Sequence, residues 1–151
     1  SPPTGKFEVT QLSNQEEYDE CLKKLLCVTF VLPHYMDTGA EGRNAYIQTI
    51  TEAAKKFRSK AAFHWVSGGD HYDWEEAFGV TANYPTFVAI GSKKGLYSKF
   101  AGKFDVKTLG ASLSKLLGPK AAYSKYTKIP KLDADVELWD GKDYVPPAED
   151  E

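Results

Sequence analysis

The sequence predicts an α/β fold: a mixed central β-sheet flanked by helices, in the order β-α-β-α-β-α-β-β-α. Three observations carry that reading. The run Leu26-Cys27-Val28-Thr29-Phe30-Val31-Leu32-Pro33 holds six apolar residues in eight, several of them β-branched, as in a strand buried on both faces. Directly downstream, Tyr46, Ile47, Ile50, Ala53, Ala54 and Phe57 recur at helical spacing, so the strand passes through a short loop into a long amphipathic helix. Residues 84–101 then read as strand, turn and returning strand, which adds an antiparallel hairpin to an otherwise parallel arrangement.

Taken in order, Phe7-Glu8-Val9-Thr10-Gln11-Leu12 alternates apolar and polar residues, the pattern of a half-buried strand. Ser13 with Glu16 forms a capping-box pattern, so a helix is expected from Asn14 with Tyr18, Cys21, Leu22 and Leu25 facing inward. After the central strand, Pro33 ends the ladder because it has no N–H to donate. Thr38 with Glu41 offers a second capping box, with the helix running to about Ser59; Gly39 and Gly42 leave its exact start open. Residues 61–66 form the third strand. Asp70 is expected to cap a short helix with Trp74, Ala77 and Phe78 inward, ended by Gly79. Residues 84–90 give the fourth strand, Lys93-Lys94-Gly95 the turn, and residues 96–101 the return. Asp105 caps a last helix whose apolar face is Val106, Leu109, Leu113, Leu116 and Leu117, and Gly118-Pro119 ends it.

Residues 1–118 thus make one domain, and 119–151 an extension of different composition. The stretch 119–131 carries four lysines and no acid, whereas 132–151 carries eight acids and only Lys142. With Pro130, Pro146 and Pro147 breaking any long element, the extension is expected to be extended, or disordered by its end. Val136, Leu138 and Trp139 are the residues in it that can pack locally or dock on a partner. The Ser1-Pro2-Pro3 start shows no signal peptide and reads as a fragment or processed chain. A net charge of −2 gives no field for nucleic acid, and no apolar run reaches the roughly 20 residues of a membrane-spanning helix.

Candidate chemistry is sparse. Cys21 and Cys27 are spaced C-x5-C, neither a zinc pattern nor a redox C-x-x-C. Cys27 is expected to be an inert core thiol, with a Cys21–Cys27 disulfide as the sterically conceivable alternative. His34, His64 and His71 lie on different elements without ligand spacing, so no metal site is expected. Gly39-Ala40-Glu41-Gly42 is too irregular for a phosphate loop, so no nucleotide cofactor is expected. Asp37 reads as a loop or helix-start hydrogen-bonding residue. Arg43 and Asn44 read as locking the loop, with anion binding at the helix start as the alternative.

The element order resembles thioredoxin. Tyr84-Pro85-Thr86 is similar to that fold's cis-proline turn, and Phe100-Ala101-Gly102-Lys103-Phe104-Asp105 with the Leu-rich helix to its C-terminal part. A narrower resemblance lies in Leu32-Pro33-His34-Tyr35-Met36-Asp37-Thr38-Gly39-Ala40-Glu41-Gly42-Arg43-Asn44. It is similar to the "LP-x-x-x-DTGA-x-GRN" run of the non-catalytic, C-terminal thioredoxin-like domain of P5-type protein disulfide isomerases. Trp139-Asp140-Gly141-Lys142-Asp143 is similar to the "WDG-x-D" beyond that domain.

The resemblance implies a thioredoxin-like fold with a cis Tyr84–Pro85 peptide but not the family's chemistry. Disulfide isomerases attack with a C-x-x-C thiolate at the start of this helix, where the dipole favours the anion. Here those positions are Tyr35 to Thr38, and the buried carboxylate beneath the dithiol falls near Thr29. The resemblance therefore implies a redox-inactive domain of an endoplasmic-reticulum isomerase. It would contact unfolded secretory proteins or luminal chaperones while sister catalytic domains do the chemistry. The peptide-contact positions it implies are His34, Tyr35, Met36, Tyr84, Pro85 and Gly102; the alternative is that Tyr35 and Met36 merely fill the space of the lost dithiol. The reading from another class is an acidic calcium-binding or scaffold protein, in which the acidic extension binds Ca²⁺ weakly. Ala148-Glu149-Asp150-Glu151 is not a retention signal.

Overall fold

In the computed structural model, which describes residues 6–147, the elements follow the predicted order with one addition. They are β1 (Thr10–Gln11), α1 (Gln15–Leu22), β2 (Cys27–Leu32), α2 (Tyr35–Ala54), β3 (Ala62–Ser67), α3 (Tyr72–Phe78), β4 (Thr86–Gly91), β5 (Leu96–Lys99), α4 (Val106–Leu116) and β6 (Ser124–Lys125). The first three residues and Ala148 to Glu151, on which the processing and retention-signal readings rest, lie outside the described residues. The sheet order is β1-β3-β2-β4-β5-β6. β2 pairs parallel with β3 and antiparallel with β4, so it is the centre of the sheet.

All six residues of β2 are buried, and the strand's two-residue period divides the core. Val28, Phe30 and Leu32 face one layer with Ile50 of α2 and Leu109 and Leu113 of α4. Cys27 and Val31 face the other with Tyr18 of α1 and Trp74 and Phe78 of α3. Among the described residues no helix is long and apolar enough to cross a membrane. The Tyr84–Pro85 peptide is cis, as the thioredoxin position requires. The Asp105 side chain accepts from the Thr108 N–H and caps α4 as expected.

Four local expectations are corrected. The first cap is Asn14, not Ser13: its side chain accepts from the Glu17 N–H, while Glu17 Oε1 accepts from the Ser13 N–H 2.8 Å away. The cap is shifted by one residue, because Asn satisfies an N-cap as well as Ser does, and Glu17 reaches past it to the Ser13 N–H and hydroxyl. Leu25 faces solvent at 64% exposure because α1 has already ended at Leu22. In α3, Glu75 is buried and Ala77 exposed, and Asp70 is not the cap.

The fourth correction concerns the cysteines. Cys27 is not a free core thiol: it is bonded to Cys21, and no free cysteine remains. A tight turn brings the end of α1 beside the start of β2, with the two Cα atoms 5.3 Å apart, inside disulfide reach. Both residues are buried, at 2% and 0% exposure.

Closing a loop this short removes only modest entropy from the unfolded chain. The Cys21→Ser/Cys27→Ser double variant should therefore lose about 2 kcal/mol in urea unfolding. A loss near zero, or a free thiol in the denatured unreduced chain, contradicts the bond.

Candidate functional site

The site lies where β2 and β3 deliver their ends to the start of α2. His34 is the N-cap of α2, its Nδ1 accepting from the Met36 N–H at 3.1 Å, so the cap lies four residues before the expected Thr38. Gly39, at φ +71°, interrupts the helix, a left-handed conformation that other residues rarely adopt. Past that break the Ala40 N–H needs a new acceptor, and Asp143 Oδ1 supplies it at 2.7 Å. A residue more than a hundred positions away caps the resumed helix.

Asp143 belongs to a strap that crosses the site. The Val136 N–H donates to Ser13 O, the Trp139 N–H to Gln11 Oε1, and Asn44 Nδ2 to Gly141 O. Trp139 is fixed further by its own Nε1–H, which donates to Lys142 O. Its ring packs on Tyr35 and Trp65 at centroid distances of 5.8 and 6.4 Å.

Beneath this ring sits Arg43, only 2% exposed. Its guanidinium carbon is 4.9 Å from the Trp65 ring centroid, 5.1 Å from Trp139 and 5.5 Å from Tyr35. Nη2 donates to Pro33 O and Ser67 Oγ at 2.8 and 2.7 Å, tying α2 to the ends of β2 and β3. Among the described residues no carboxylate lies within ion-pair distance of it. Burial lowers its pKa, with Asp70 and Tyr35 pulling the other way, yet an arginine stays charged. The π faces hold a cation that ordinarily requires a carboxylate.

A second cluster adjoins through the β3–α3 loop. Glu75 is fully buried; its Oε2 accepts from the Gly69 N–H at 2.7 Å and its Oε1 from the Tyr84 hydroxyl. Gly68 has no side chain because the Tyr84 ring occupies the place: a Cβ there would lie 2.5 Å from it. His71 is also buried, and its Nδ1 accepts from the Asp133 N–H. The Asp133 carboxylate in turn accepts from the Asp73 and Trp74 N–H groups and caps α3, the role expected of Asp70. Asp70 instead lines the cleft beneath the strap, where burial raises its carboxyl pKa against the opposing pull of His71, His34 and Arg43.

The structure therefore gathers His34, Tyr35, Arg43 and Asn44 around the strap, and Tyr84 and Pro85 around Glu75. Tyr35 is half-buried between His34 and Trp139, whereas Met36 is 62% exposed and Asp37 is exposed beside it. Gly102 is exposed in the loop before α4, where a Cβ would meet Phe100 and Thr108, and the Thr86 hydroxyl donates to Phe100 O beside it. Thr29, at the place of the buried carboxylate, is fully buried with its hydroxyl unpartnered, and a threonine cannot serve as a base. Among the described residues no group of three or more His, Cys, Asp or Glu side chains could hold a metal ion. The sequence reading missed Glu75 and His71. Glu75 carried a signal, since it lies between Trp74 and Phe78 on the buried side of α3, where a polar group needs partners; His71, just before the helix and with its Nε2 buried and unpartnered, carried none.

No protein-family model matches the sequence. The chain is 34% identical to mouse protein disulfide-isomerase A6 over its whole length, covering 34% of that protein. It is 35% identical to Arabidopsis thaliana protein disulfide-isomerase like 2-2 over 92% of the chain and 32% of the relative. It thus spans about a third of the length of the curated relatives it matches. The solution structure of the thioredoxin-like domain of Arabidopsis NCP superposes with a TM-score of 0.59 at 14% identity. That match covers 89% of this chain and 99% of the other and speaks to the fold alone.

Two outcomes check this geometry. Trp139→Ala opens one wall of the Arg43 cage and should cost about 2 kcal/mol in chemical denaturation; a cost below about 0.5 kcal/mol would place the strap off the domain. Burial lowers the pKa of both His64 and His71 despite the acidic neighbours of His71. Their stabilising contribution is present above about pH 6.5 and is lost as pH falls toward the depressed folded values. The urea midpoint should decline between pH 7 and 5.5, less steeply in His71→Gln; an identical slope in that variant contradicts the assignment.

Proposed function

We propose that this chain, a thioredoxin-fold domain of the protein disulfide isomerase family, is a redox-inactive module that contacts polypeptide while catalytic domains elsewhere in the protein exchange disulfides. The observation that carries the reading is the position of the sulfur. Thiol–disulfide exchange in this fold needs a thiolate at the first turn of the helix after the central strand. Here that turn presents an imidazole, a phenol and a thioether, from His34, Tyr35 and Met36. The only two cysteines are bonded to one another at the opposite end of β2. Six strand residues at about 3.3 Å each separate the two places, about 20 Å in all.

The contact surface in this reading is what the strap leaves open: the exposed Met36, with Tyr84 and Pro85 on the neighbouring loop and Gly102 beyond them. Met offers a deformable apolar surface suited to varied sequences, and Tyr84, whose hydroxyl is taken by Glu75, offers the exposed part of its ring. Tyr35 serves chiefly as a wall of the Arg43 cage. The partners are unfolded or partly folded secretory proteins, or luminal chaperones that carry them. A buried disulfide suits an oxidising compartment, which supports residence in the endoplasmic reticulum lumen.

Two measurements test the reading. The chain should not accelerate insulin reduction by dithiothreitol above the buffer rate; acceleration abolished by Cys21→Ser would make it an oxidoreductase. NMR titration with a reduced, unfolded client should shift Met36, Tyr84 and Gly102, and Met36→Ser should weaken binding severalfold. Shifts confined to the far end of the sheet, or none at all, would remove this surface as the contact site.

A further inference from the structure

The end of the sheet away from the strap carries a second concavity. It lies between the α1–β2 turn, the β4–β5 turn and the end of α4, with a volume of about 450 Å³. Its floor and walls are aliphatic, from Leu25, Leu96, Leu116 and Leu117, and Lys93 and Lys94 stand at its rim. Tyr123, whose hydroxyl donates to Leu116 O, fixes one wall in place. Leu25 faces solvent here at 64% exposure, although the amphipathic pattern of α1 would have it inside.

Charge singles this end out. The chain carries a net −2, yet no Asp or Glu lines the groove. Neither Asp nor Glu occurs within residues 21–36, 77–104 or 106–132. Lys93 and Lys94 line the groove, and Lys24, Lys115 and Lys120 lie on the segments that adjoin it, whereas Lys23 is paired with Glu20 at 2.8 Å. An apolar floor within a one-sign rim attracts a ligand of opposite charge and then desolvates its apolar side chains.

We propose that this groove is a docking site for an acidic peptide segment of a partner protein, one that carries two or three large apolar side chains between its carboxylates. The aliphatic lining gives a sugar-phosphate backbone nothing to bury, which separates this site from a nucleic-acid surface. The groove lies about 20 Å from the start of α2, the length of β2, so a polypeptide held at one end of the sheet leaves the other free.

The test is fluorescence anisotropy of a labelled twelve-residue peptide, with leucine and phenylalanine set among aspartates and glutamates, titrated with the whole chain. Saturable binding in the micromolar range is expected, weakened tenfold or more by Lys93→Glu/Lys94→Glu and severalfold by Leu25→Ser. All three residues are exposed, so the variants should keep the native circular dichroism and melting temperature. Raising the salt from 50 to 500 mM should weaken binding severalfold, and Met36→Ser at the other end of the sheet should leave it unchanged. Four outcomes would overturn the proposal. They are no saturable binding, equal binding of a peptide with serine in place of leucine and phenylalanine, indifference to both groove variants, or competition by anionic vesicles or RNA at equal charge. Concentration-dependent self-association that Leu25→Ser abolishes would assign the groove to a second copy instead, and would also overturn it.

Discussion

The structure turns on a buried cation with no carboxylate within ion-pair distance among the described residues. Arg43 sits on α2, the helix that the central strand feeds, and an unpaired guanidinium in that place would cost several kcal/mol. Three aromatic faces and two hydrogen bonds offset the penalty, and one of those faces, Trp139, comes from beyond the predicted domain end. The strap residues Val136, Trp139, Gly141 and Asp143 are thus held against the folded unit. Without the strap, Arg43 would lose a wall, Ala40 its cap and Trp65 its cover. The same strap lies over the place where catalytic relatives of this fold keep reactive sulfur.

A second pinning point uses the same logic with a buried acid. Glu75 is buried and held by a backbone amide and the Tyr84 hydroxyl, while His71 and Asp133 fasten the residues before the strap to α3. The two clusters share the end of β3: Ser67 binds Arg43, and the next two residues, Gly68 and Gly69, receive Tyr84 and Glu75. A loop that served thiol chemistry could not be filled so completely. This one is closed by packing, which leaves the neighbouring exposed side chains to make any external contacts.

How much of this could be read from the residues follows from the range of each interaction. β2, α2, the Asp105 cap and the hairpin rest on local periodicity and turn chemistry, and were legible. The cis Tyr84–Pro85 bond was legible through the resemblance, since nothing local distinguishes it from a trans one. The strap was visible only as a motif, Trp139 to Asp143, because its partners are Gln11, Ala40, Asn44 and Trp65, far away in sequence. The disulfide was weighed and set aside because C-x5-C has no signature of its own; only the angle at which α1 meets β2 brings the sulfurs together. Leu25 was misplaced by extending helical periodicity past the end of α1, and Ala77 by assigning the inward face of α3 to apolar residues alone, where Glu75 is buried instead.

The most direct test of the strap's place in the fold is amide hydrogen exchange at Ala40. Its N–H follows the break at Gly39, and its acceptor is the carboxylate of Asp143. The account predicts that the Ala40 amide exchanges far more slowly than an exposed amide. In Asp143→Ala its exchange should accelerate by an order of magnitude or more, while the β2 amides keep their protection. An Ala40 amide that exchanges at the unprotected rate in the intact chain, or that ignores Asp143→Ala, would contradict it.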